Sequence, residues 1–259
     1  NGIKFIGPNQ GQMACGEFGF GRMAEVDEIL EEIELYFCEK KLDGLHFLVT
    51  SGPTREPLDP VRFIGNRSSG LQGDAIAKEL IEKGAEVTFV TGPVSLEPPR
   101  GSNVIRVETA DEMYDAVHSS LPVDVAIFTA AVADWKVKNA NDQKLKKQTG
   151  KLPTFDLIEN KDILASVSKL KKNRPKFVMG FAAETGNILE HAKSKLKKKG
   201  CDCIVANDVS FGTKTMGGNE NTAIIVSEFG VDKLPTMSKR ALAKILVNKI
   251  SQSLEGMDD

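Results

Sequence analysis

The chain has 259 residues, of which 41% are hydrophobic and 27% are charged, and its formal net charge is -2 at pH 7. This length and hydrophobic content are enough for one sizeable core and a small appendage. The near-neutral charge argues against bulk binding to nucleic acid or to an anionic membrane. No apolar run approaches the roughly 18 residues that are needed to span a bilayer.

The first 42 residues differ in composition from the rest. Their opening part, GPNQGQMACGEFGFGRMAE, is rich in glycine and typical of a loop, and the acidic segment VDEILEEIELYF indicates an amphipathic helix. So short a piece cannot hold a β-α-β core. No basic-then-apolar leader follows Asn1, which is an unusual first residue. We therefore expect a fragment of a longer protein, with residues 1–42 as a tail or as the remnant of an upstream domain.

From residue 43 onward, short apolar runs alternate with amphipathic segments. The pattern predicts strands at 45–51, 86–92, 103–107, 123–135, 176–184, 201–207 and 221–227. It predicts helices at 68–83, 109–121, 161–172, 185–199 and 238–254. The second of these helices begins with a capping box formed by Thr109 and Glu112. Such alternation predicts a doubly wound, mainly parallel α/β sheet of Rossmann-like topology with helices on both faces, whose ligands bind beyond the carboxyl ends of the strands.

The four cysteines are Cys15, Cys38, Cys201 and Cys203. They are too few and too scattered for a disulfide framework, and only three histidines are available to complete a zinc site. Cys201 and Cys203 lie two apart in a predicted strand, so we expect buried core thiols in a protein of the reducing cytoplasm. The histidines are expected to be structural or surface residues.

The segment RFIGNRSSGLQG resembles a phosphate-binding loop without its lysine. Gly65 and Gly70 have the spacing of a P-loop, but Leu71 and Gln72 occupy the positions of its Lys and its Ser or Thr. Ser68, Ser69 and Gly70 would present hydroxyls and free backbone amides at a helix N-terminus, which favours anion binding. The alternative is that the serines only cap the helix.

Two further classes of protein stay open at this point. A dinucleotide-dependent oxidoreductase should carry an acid or an arginine at the end of its second strand, but here the strand ends at Thr91, Gly92 and Pro93, which weakens the NAD(P) reading. A non-catalytic nucleotide-binding module is the other alternative.

Two lysine-rich segments are candidates for neutralising a bound phosphate. Lys144, Lys146 and Lys147 lie in a polar loop, and Lys195 and Lys199 lie four apart on the helix after GFAAET. Both segments are consistent with solvated surfaces. Beside a phosphate site that lacks a lysine, they favour phosphoryl or nucleotidyl transfer. Phe181 and Glu184 at the start of this helix are candidates for contacting a base or a ribose.

The longer motifs resemble those of one enzyme family. TSGPTREPLDPVRFIGNRSSGLQG, AAVADW, KLKK, NKDIL, GFAAET and IVAND occur in the order and spacing of phosphopantothenoylcysteine synthetases, the ligase half of a bifunctional bacterial coenzyme A biosynthesis protein. The segment GPNQGQMACGEFGFGRMAE is similar to the end of the other half, a flavin-dependent decarboxylase. The resemblance implies a synthetase domain at 43–259 and, at 1–42, a decarboxylase remnant with a linker helix.

The resemblance also implies a two-step reaction. The carboxylate of 4′-phosphopantothenate attacks the α-phosphate of CTP, which gives an acyl-cytidylate and pyrophosphate. The amine of cysteine then displaces CMP and forms the amide bond. Mg²⁺ is expected with CTP, whereas FMN belongs to the decarboxylase domain, without whose core we expect no decarboxylation. The family implies a homodimer through the ligase domain and a larger assembly through the decarboxylase.

The matching motifs imply roles for particular residues. Asn66 would position the acyl-cytidylate for its second step, Lys144 would contact the nucleotide phosphates, and Cys15 would be the proton donor of a complete decarboxylase. Asp134 is the candidate metal ligand. The residues implied to bind CTP are Thr129, Ala130, Asp134, Lys144, Asn160, Lys161, Asp162, Ile163, Phe181, Lys195 and Lys199. The loop implied to hold phosphate or substrate contains Gly52, Arg62, Asn66, Ser68, Ser69 and Gly70. The family often has proline at the position of Lys161.

Overall fold

The computed structural model describes residues 3, 5–13, 16–37, 39–146, 154–210, 215 and 218–256. The chain divides into two compact units, Asn1–Lys41 and Leu42–Asp259. Within the described part of the chain, none of the helices combines the length and apolarity that crossing a bilayer requires.

The first unit contains a hairpin and a helix. Strands β1 (Asn9–Gln12) and β2 (Phe18–Arg22) pair antiparallel, and helix α1 spans Val26–Phe37. The helix prediction is confirmed, but the prediction of a loop before it was wrong. Glycines in both strands hid the pairing, because glycine is depleted in strands and weakens the sequence signal.

The second unit alternates strands and helices. Its strands are β3 (His46–Ser51), β4 (Arg55–Pro57), β5 (Phe63–Gly65), β6 (Glu86–Thr91), β7 (Asn103–Arg106), β8 (Val125–Phe128), β9 (Trp135–Val137), β10 (Leu157–Glu159), β11 (Phe177–Glu184), β12 (Cys203–Asp208), β13 (Glu220–Asn221), β14 (Ala223–Ser227), β15 (Gly230–Lys233) and β16 (Met237–Ser238). Its helices are α2 (Leu71–Glu82), α3 (Ala110–Ser119), α4 (Ile163–Ser168), α5 (Ile188–Lys199) and α6 (Lys239–Glu255).

The central sheet has the strand order β15-β14-β12-β11-β8-β3-β6-β7. The six strands from β12 to β7 run parallel, whereas β14 and β15 are antiparallel additions at one edge. The order confirms the predicted doubly wound, mainly parallel sheet. The direction of winding changes between β3 and β8, where such sheets open a ligand crevice beyond their carboxyl ends.

Two apolar layers cover the two faces of the sheet. On one face, α2 and α6 bury residues such as Ile76, Leu80 and Leu246. On the other face, α3, α4 and α5 contribute residues such as Met113 and Val167 to a second buried cluster. The layers leave the carboxyl ends of the strands uncovered by core packing, and the predicted ligand loops lie there.

Helix α2 begins three residues later than predicted. Gly70 is its N-terminal flanking residue and has φ +76°, a left-handed conformation that ends the preceding loop, and no side chain caps the helix. The alternative that Ser68 and Ser69 cap this helix was therefore wrong. By contrast, the hydroxyl of Thr109 accepts a hydrogen bond from the amide of Glu112, as the capping box predicts. The Glu112 carboxylate accepts from the amide of Glu108 and not from that of Thr109, so the box is formed only in part.

The predicted core thiols are confirmed. Cys201 and Cys203 are buried and free, and burial raises the pKa of their thiols to about 11 and about 12. The antiparallel pairs β4–β5 and β9–β10 are among those that were not predicted. They consist of three-residue strands, which are too short for a two-residue period to be recognised.

The loops after β3 and β6 approach each other closely, which gives a test of the fold. A Cβ added to Gly92 would lie 1.7 Å from the carbonyl oxygen of Pro53. We expect Gly92→Ala to lower the free energy of unfolding by about 1–3 kcal/mol, because the backbone must shift to relieve the overlap. Urea denaturation measures this change.

Gly186→Ala is the matched control, because a Cβ added there meets nothing within 4 Å. It should leave the unfolding midpoint nearly unchanged. A Gly92→Ala protein as stable as this control would contradict the close approach of the two loops.

Candidate functional site

A cavity of about 710 Å³ lies at the carboxyl ends of the central strands. Its lining comes from the ends of β3, β8, β11 and β12, from the first turn of α2, from the segment that leads into α4 and from one side of α5. The site therefore lies at the change of winding direction, where the topology predicts it.

The first turn of α2 forms one side of the cavity. The hydroxyl of Ser51 donates to the carbonyl of Gly70 at 3.0 Å, which fixes the entry to the helix. A Cβ on Gly73 would lie 2.5 Å from Ser51 Oγ and 2.6 Å from Thr129 Oγ1, so only glycine permits this seating. The first amides of a helix have no intrahelical acceptor, and they face an anion favourably.

Asn66 joins this loop to the loop after β8. Its Nδ2 donates to the carbonyl oxygens of Ala131 and Val132, at 3.2 and 3.0 Å. The side chain is exposed and lines the cavity. Because the amide nitrogen is engaged twice, the amide oxygen is the atom left to meet a ligand.

Asn160 and Asp134 belong to the opposite wall. The Asn160 backbone amide donates to the carbonyl of Asp134, and its Nδ2 donates to the carbonyl of Ala133, both at 2.9 Å. The Asn160 Oδ1 is buried without a partner in the described structure, and the Asp134 side chain is exposed. Mg²⁺ commonly binds one or two protein oxygens together with substrate phosphates, and this pair of oxygens fits that pattern.

Asp162 connects α4 with α5. It caps α4 by accepting from the amide of Ala165 at 3.0 Å, and it forms an ion pair with Lys199. Burial works to raise the pKa of Asp162, but the hydrogen bond from Lys199, the amide of Ala165 and the nearby positive charges hold it below its ordinary value.

Glu184 holds a lysine and a histidine side chain at the end of β11. Its carboxylate lies 2.8 Å from Lys195 Nζ and 2.9 Å from His191 Nδ1. Burial works to raise the pKa of Glu184, and the hydrogen bonds from Lys195 and His191 outweigh it, so the carboxyl titrates below its usual range. Both lysines predicted on α5 therefore have carboxylate partners.

Lys161 is held near α3. Its Nζ lies 3.9 Å from Asp111 Oδ1 and 4.4 Å from the centre of the Tyr114 ring. Of the residues predicted to bind CTP or phosphate, those that line the cavity together are Asn66, Ser68, Ser69, Gly70, Thr129, Ala130, Asp134, Asn160, Lys161, Asp162, Ile163, Phe181, Lys195 and Lys199.

Five predicted residues of the described structure do not line the cavity: Gly52, Arg62, Lys144, Lys146 and Glu184. Gly52 is buried in the turn after β3, where φ is +72° and its carbonyl accepts from the amide of Ala131. Lys144 is exposed. Cys15 lies outside the described residues.

The loop that carries Lys144 is attached to the substrate loop. Arg62 donates to the carbonyl of Leu145 at 3.1 Å, and Asp59 accepts from the Leu145 amide at 3.1 Å. Burial of Asp59 works to raise its pKa, but hydrogen bonds from three backbone amides and the charge of Arg62 hold the pKa below its ordinary value. The clamp on Leu145 fixes the backbone next to Lys144.

Sequence reasoning missed several residues of the cavity, above all Gln72, Asn221 and Lys239. They come from three separate elements, and only Gln72 lies in a motif that the sequence offers. The only local signal was the position of Gln72 in the P-loop-like segment.

The end of β6 offers no ribose site of the dinucleotide type. Thr91 is buried, and its hydroxyl donates to the carbonyl of Gly92. Gly92 packs against Pro53, so the space that a ribose needs is filled by the chain itself. This packing strengthens the sequence argument against a dinucleotide-dependent oxidoreductase.

The fold and the cavity define a doubly wound α/β protein with a crevice at its switch point, lined by lysines and by the N-terminal turn of α2. The chain belongs to the DNA/pantothenate metabolism flavoprotein C-terminal domain family, whose model matches residues 42–254. That match begins at the boundary between the two units. The origin of residues 1–42 in a decarboxylase stays a prediction.

Curated relatives include the coenzyme A biosynthesis bifunctional protein CoaBC of Haemophilus influenzae, 45% identical over 96% of this chain, and that of Escherichia coli K12, 41% identical over 96%. The chain spans 62% of the length of each of these two proteins. Among solved structures, the C-terminal domain of CoaBC superposes with a TM-score of 0.71 at 37% identity, covering 85% of this chain and all of that domain.

The Asp162–Lys199 pair predicts a pH-dependent stability difference. Asp162→Asn should lower the free energy of unfolding by about 0.5–1 kcal/mol at neutral pH, because asparagine keeps the cap but loses the ion pair. The folded-state pKa of Asp162 is lowered, so its contribution is present above the ordinary carboxyl value of 3.8 and is lost as pH falls through the folded value. Urea unfolding at several pH values measures it.

Asp156→Asn is the control, since this exposed carboxylate has no ion pair among the described residues. The difference between wild type and Asp162→Asn should vanish below the folded pKa. A difference that persists unchanged into acid would contradict the ion pair.

Proposed function

We propose that this chain is the ligase part of a coenzyme A biosynthesis protein, which joins 4′-phosphopantothenate to cysteine with CTP as the activating nucleotide. One observation carries the proposal. Motif residues that lie far apart in the sequence, from Asn66 to Lys199, line one cavity at the switch point of the sheet. The similarity to the C-terminal domain of CoaBC over its whole length supports it.

The first step forms the acyl-cytidylate. A carboxylate oxygen of 4′-phosphopantothenate attacks the α-phosphorus of CTP, and the bond to the leaving pyrophosphate breaks. Negative charge grows on the leaving oxygens, and the amides of the first turn of α2, together with cavity lysines, would stabilise it. Lys144 would reach the phosphates from its loop, which the clamp of Asp59 and Arg62 on Leu145 positions.

The second step forms the amide. The amine of cysteine attacks the acyl carbon, CMP leaves, and the amine loses a proton. The Asn66 Oδ1 is suited to accept a hydrogen bond from that amine, because its Nδ2 already donates to two carbonyls of the loop after β8. Asn66 would therefore hold the amine of cysteine close to the acyl carbon of the acyl-cytidylate and correctly oriented for attack.

Asp134 and Asn160 would hold a Mg²⁺ ion that arrives with CTP. When bound, the ion would neutralise part of the triphosphate charge. The chain's own contribution is to fix the Asn160 oxygen, since Asn160 is held by two hydrogen bonds to the Ala133–Asp134 backbone.

We extend the proposal to the assembly of the whole protein. The ligase domain would form a homodimer, and a decarboxylase domain with FMN would form the larger assembly in the cytoplasm. The free, buried thiols of Cys201 and Cys203 are compatible with a reducing compartment.

A single assay tests the function. Pyrophosphate and CMP are measured with CTP, 4′-phosphopantothenate and cysteine each omitted in turn. We expect pyrophosphate without cysteine only up to one equivalent of acyl-cytidylate, and CMP and sustained pyrophosphate only with all three substrates. CTP binding without any cysteine-dependent turnover would favour the non-catalytic nucleotide-binding module. A titration with NAD(P)H tests the oxidoreductase alternative.

Lys144→Ala should leave the fold intact and lower turnover about 10²- to 10³-fold, as loss of a donor to a developing charge typically does. The measurement is the steady-state rate of pyrophosphate release at saturating substrates, with circular dichroism to verify folding. Lys138→Ala is the matched control, because Lys138 is an exposed lysine of the same segment that lies outside the KLKK motif. Near-normal turnover by Lys144→Ala would refute its role.

Asn66→Ala should slow the second step more than the first. We expect acyl-cytidylate to accumulate while the affinity for CTP stays within about threefold of wild type, because the lost group acts on the amine. Rapid acid quench followed by chromatography detects the intermediate. If CTP affinity falls and no intermediate accumulates, Asn66 serves nucleotide binding and not the second step.

A further inference from the structure

Lys239 is a buried cation in the cavity that no motif identifies. It is the first residue of α6, only 8% of its surface is exposed, and it lines the cavity. Among the residues that the structure describes, no carboxylate lies within ion-pairing distance of it. Residues 211–217, which read FGTKTMG, contain no acidic side chain.

The other lysines of the cavity are either paired with a carboxylate or exposed to solvent. Lys161, Lys195 and Lys199 each have a carboxylate neighbour, and Lys198 is exposed to solvent. Lys239 alone among these five is both buried and without an acidic partner. Burial of a lone ammonium group is unfavourable, and it lowers the pKa of Lys239.

A hydrogen-bonded chain holds Lys239 beside the first turn of α2. Gln72 Nε2 donates to the carbonyl of Lys239 at 3.2 Å, and Asn221 Nδ2 donates to Gln72 Oε1 at 3.3 Å. The amide of Lys239 donates to the carbonyl of Asn219 at 2.9 Å. Helices α2 and α6 therefore begin side by side, with Lys239 next to the helix whose free amides face the cavity.

We propose that Lys239 is the cation of an anion subsite that binds a phosphate group of a substrate at the N-terminus of α2. In the P-loop-like segment Leu71 replaces the usual lysine, and Lys239 supplies that charge from the start of α6. A bound phosphate would gain both the amides of α2 and a desolvated ammonium group. Without the anion, the buried charge has no counterion in the described structure.

The subsite rests on the proposed function only for the identity of its ligand. Phosphate groups reach the cavity from two sources, the polyphosphate of CTP and the 4′-phosphate of phosphopantothenate. Lys239 lies with α2 and α6 on one face of the sheet, whereas Asn160–Ile163 and α5, which the proposed function assigns to CTP, lie on the other. We therefore expect the far end of the nucleotide, its outer phosphates, to reach Lys239. The test separates the two sources.

The test uses Lys239→Met, with Lys244→Met as the matched control because Lys244 is an exposed lysine of the same helix outside the cavity lining. Calorimetric titration with inorganic pyrophosphate, CTP, CMP, phosphopantothenate and pantothenate gives the affinities. We expect Lys239→Met to bind pyrophosphate and CTP about 10- to 100-fold more weakly, as for the loss of a charged hydrogen bond, and CMP unchanged.

A loss confined to phosphopantothenate, with pantothenate unaffected, would support the subsite and assign it to that substrate. Unchanged affinity for all phosphate-bearing probes would overturn it. Pyrophosphate binding is measured without turnover. If the protein binds pyrophosphate through Lys239 but has no ligase activity, the proposed subsite is still supported. That result would refute only the proposed function.

A thermal denaturation series separates this role from a structural one. Ligand-free Lys239→Met should unfold at or above the wild-type temperature, because the variant removes an unpaired buried charge. Pyrophosphate should raise the melting temperature of wild type and Lys244→Met but not of Lys239→Met. If Lys239→Met fails to fold, Lys239→Gln is measured in the same way. An equal rise in every folded variant would overturn the subsite.

Discussion

The close seating of α2 against the ends of β3 and β8 is the constraint on which the site depends. Gly73 lies against Ser51 and Thr129 where no other residue fits, and Gly70 turns the chain into the helix through a left-handed conformation. The helix N-terminus is thereby brought to the strand ends at the point where the sheet opens. The sequence motif that resembled an incomplete P-loop therefore has the glycine turn and the helix N-terminus, but it lacks the lysine and the hydroxyl of a P-loop.

The cavity draws its groups from both faces of the sheet. Asn160–Leu164 and α5 belong to the face of the second core cluster, whereas the starts of α2 and α6 belong to the other face. An elongated ligand can therefore cross the strand ends and meet different groups at its two ends. The proposed reaction brings two phosphate-bearing substrates together. A site that extends over both faces would let each phosphate bind at a different end, so that the negative charges stay apart.

The sequence was most informative where the signal was local. The long helices, the parallel strands and the cap at Thr109 depend on neighbouring residues, and the motif residues came from contiguous segments. Lys239 could not be predicted, because its contact with Gln72 joins residues 167 positions apart. The same holds for Leu145, whose partners Asp59 and Arg62 lie more than 80 residues away. The predicted start of α2 differed from the observed one because the left-handed conformation of Gly70 determines where this helix begins.

The lysines of the cavity differ in what an arriving phosphate must displace. Lys195 and Lys199 are held by Glu184 and Asp162, which fixes the side chains in place but means that a phosphate competes with a carboxylate for each of them. Lys239 has no acidic partner among the described residues, so a phosphate displaces no carboxylate from it. Its ammonium group is already desolvated in the folded protein, so binding does not add that desolvation cost. A phosphate that reaches Lys239 therefore gains the full charge–charge interaction in a partly desolvated place, where such interactions are strongest. The cation that sequence motifs do not mark is thus the one from which binding gains most.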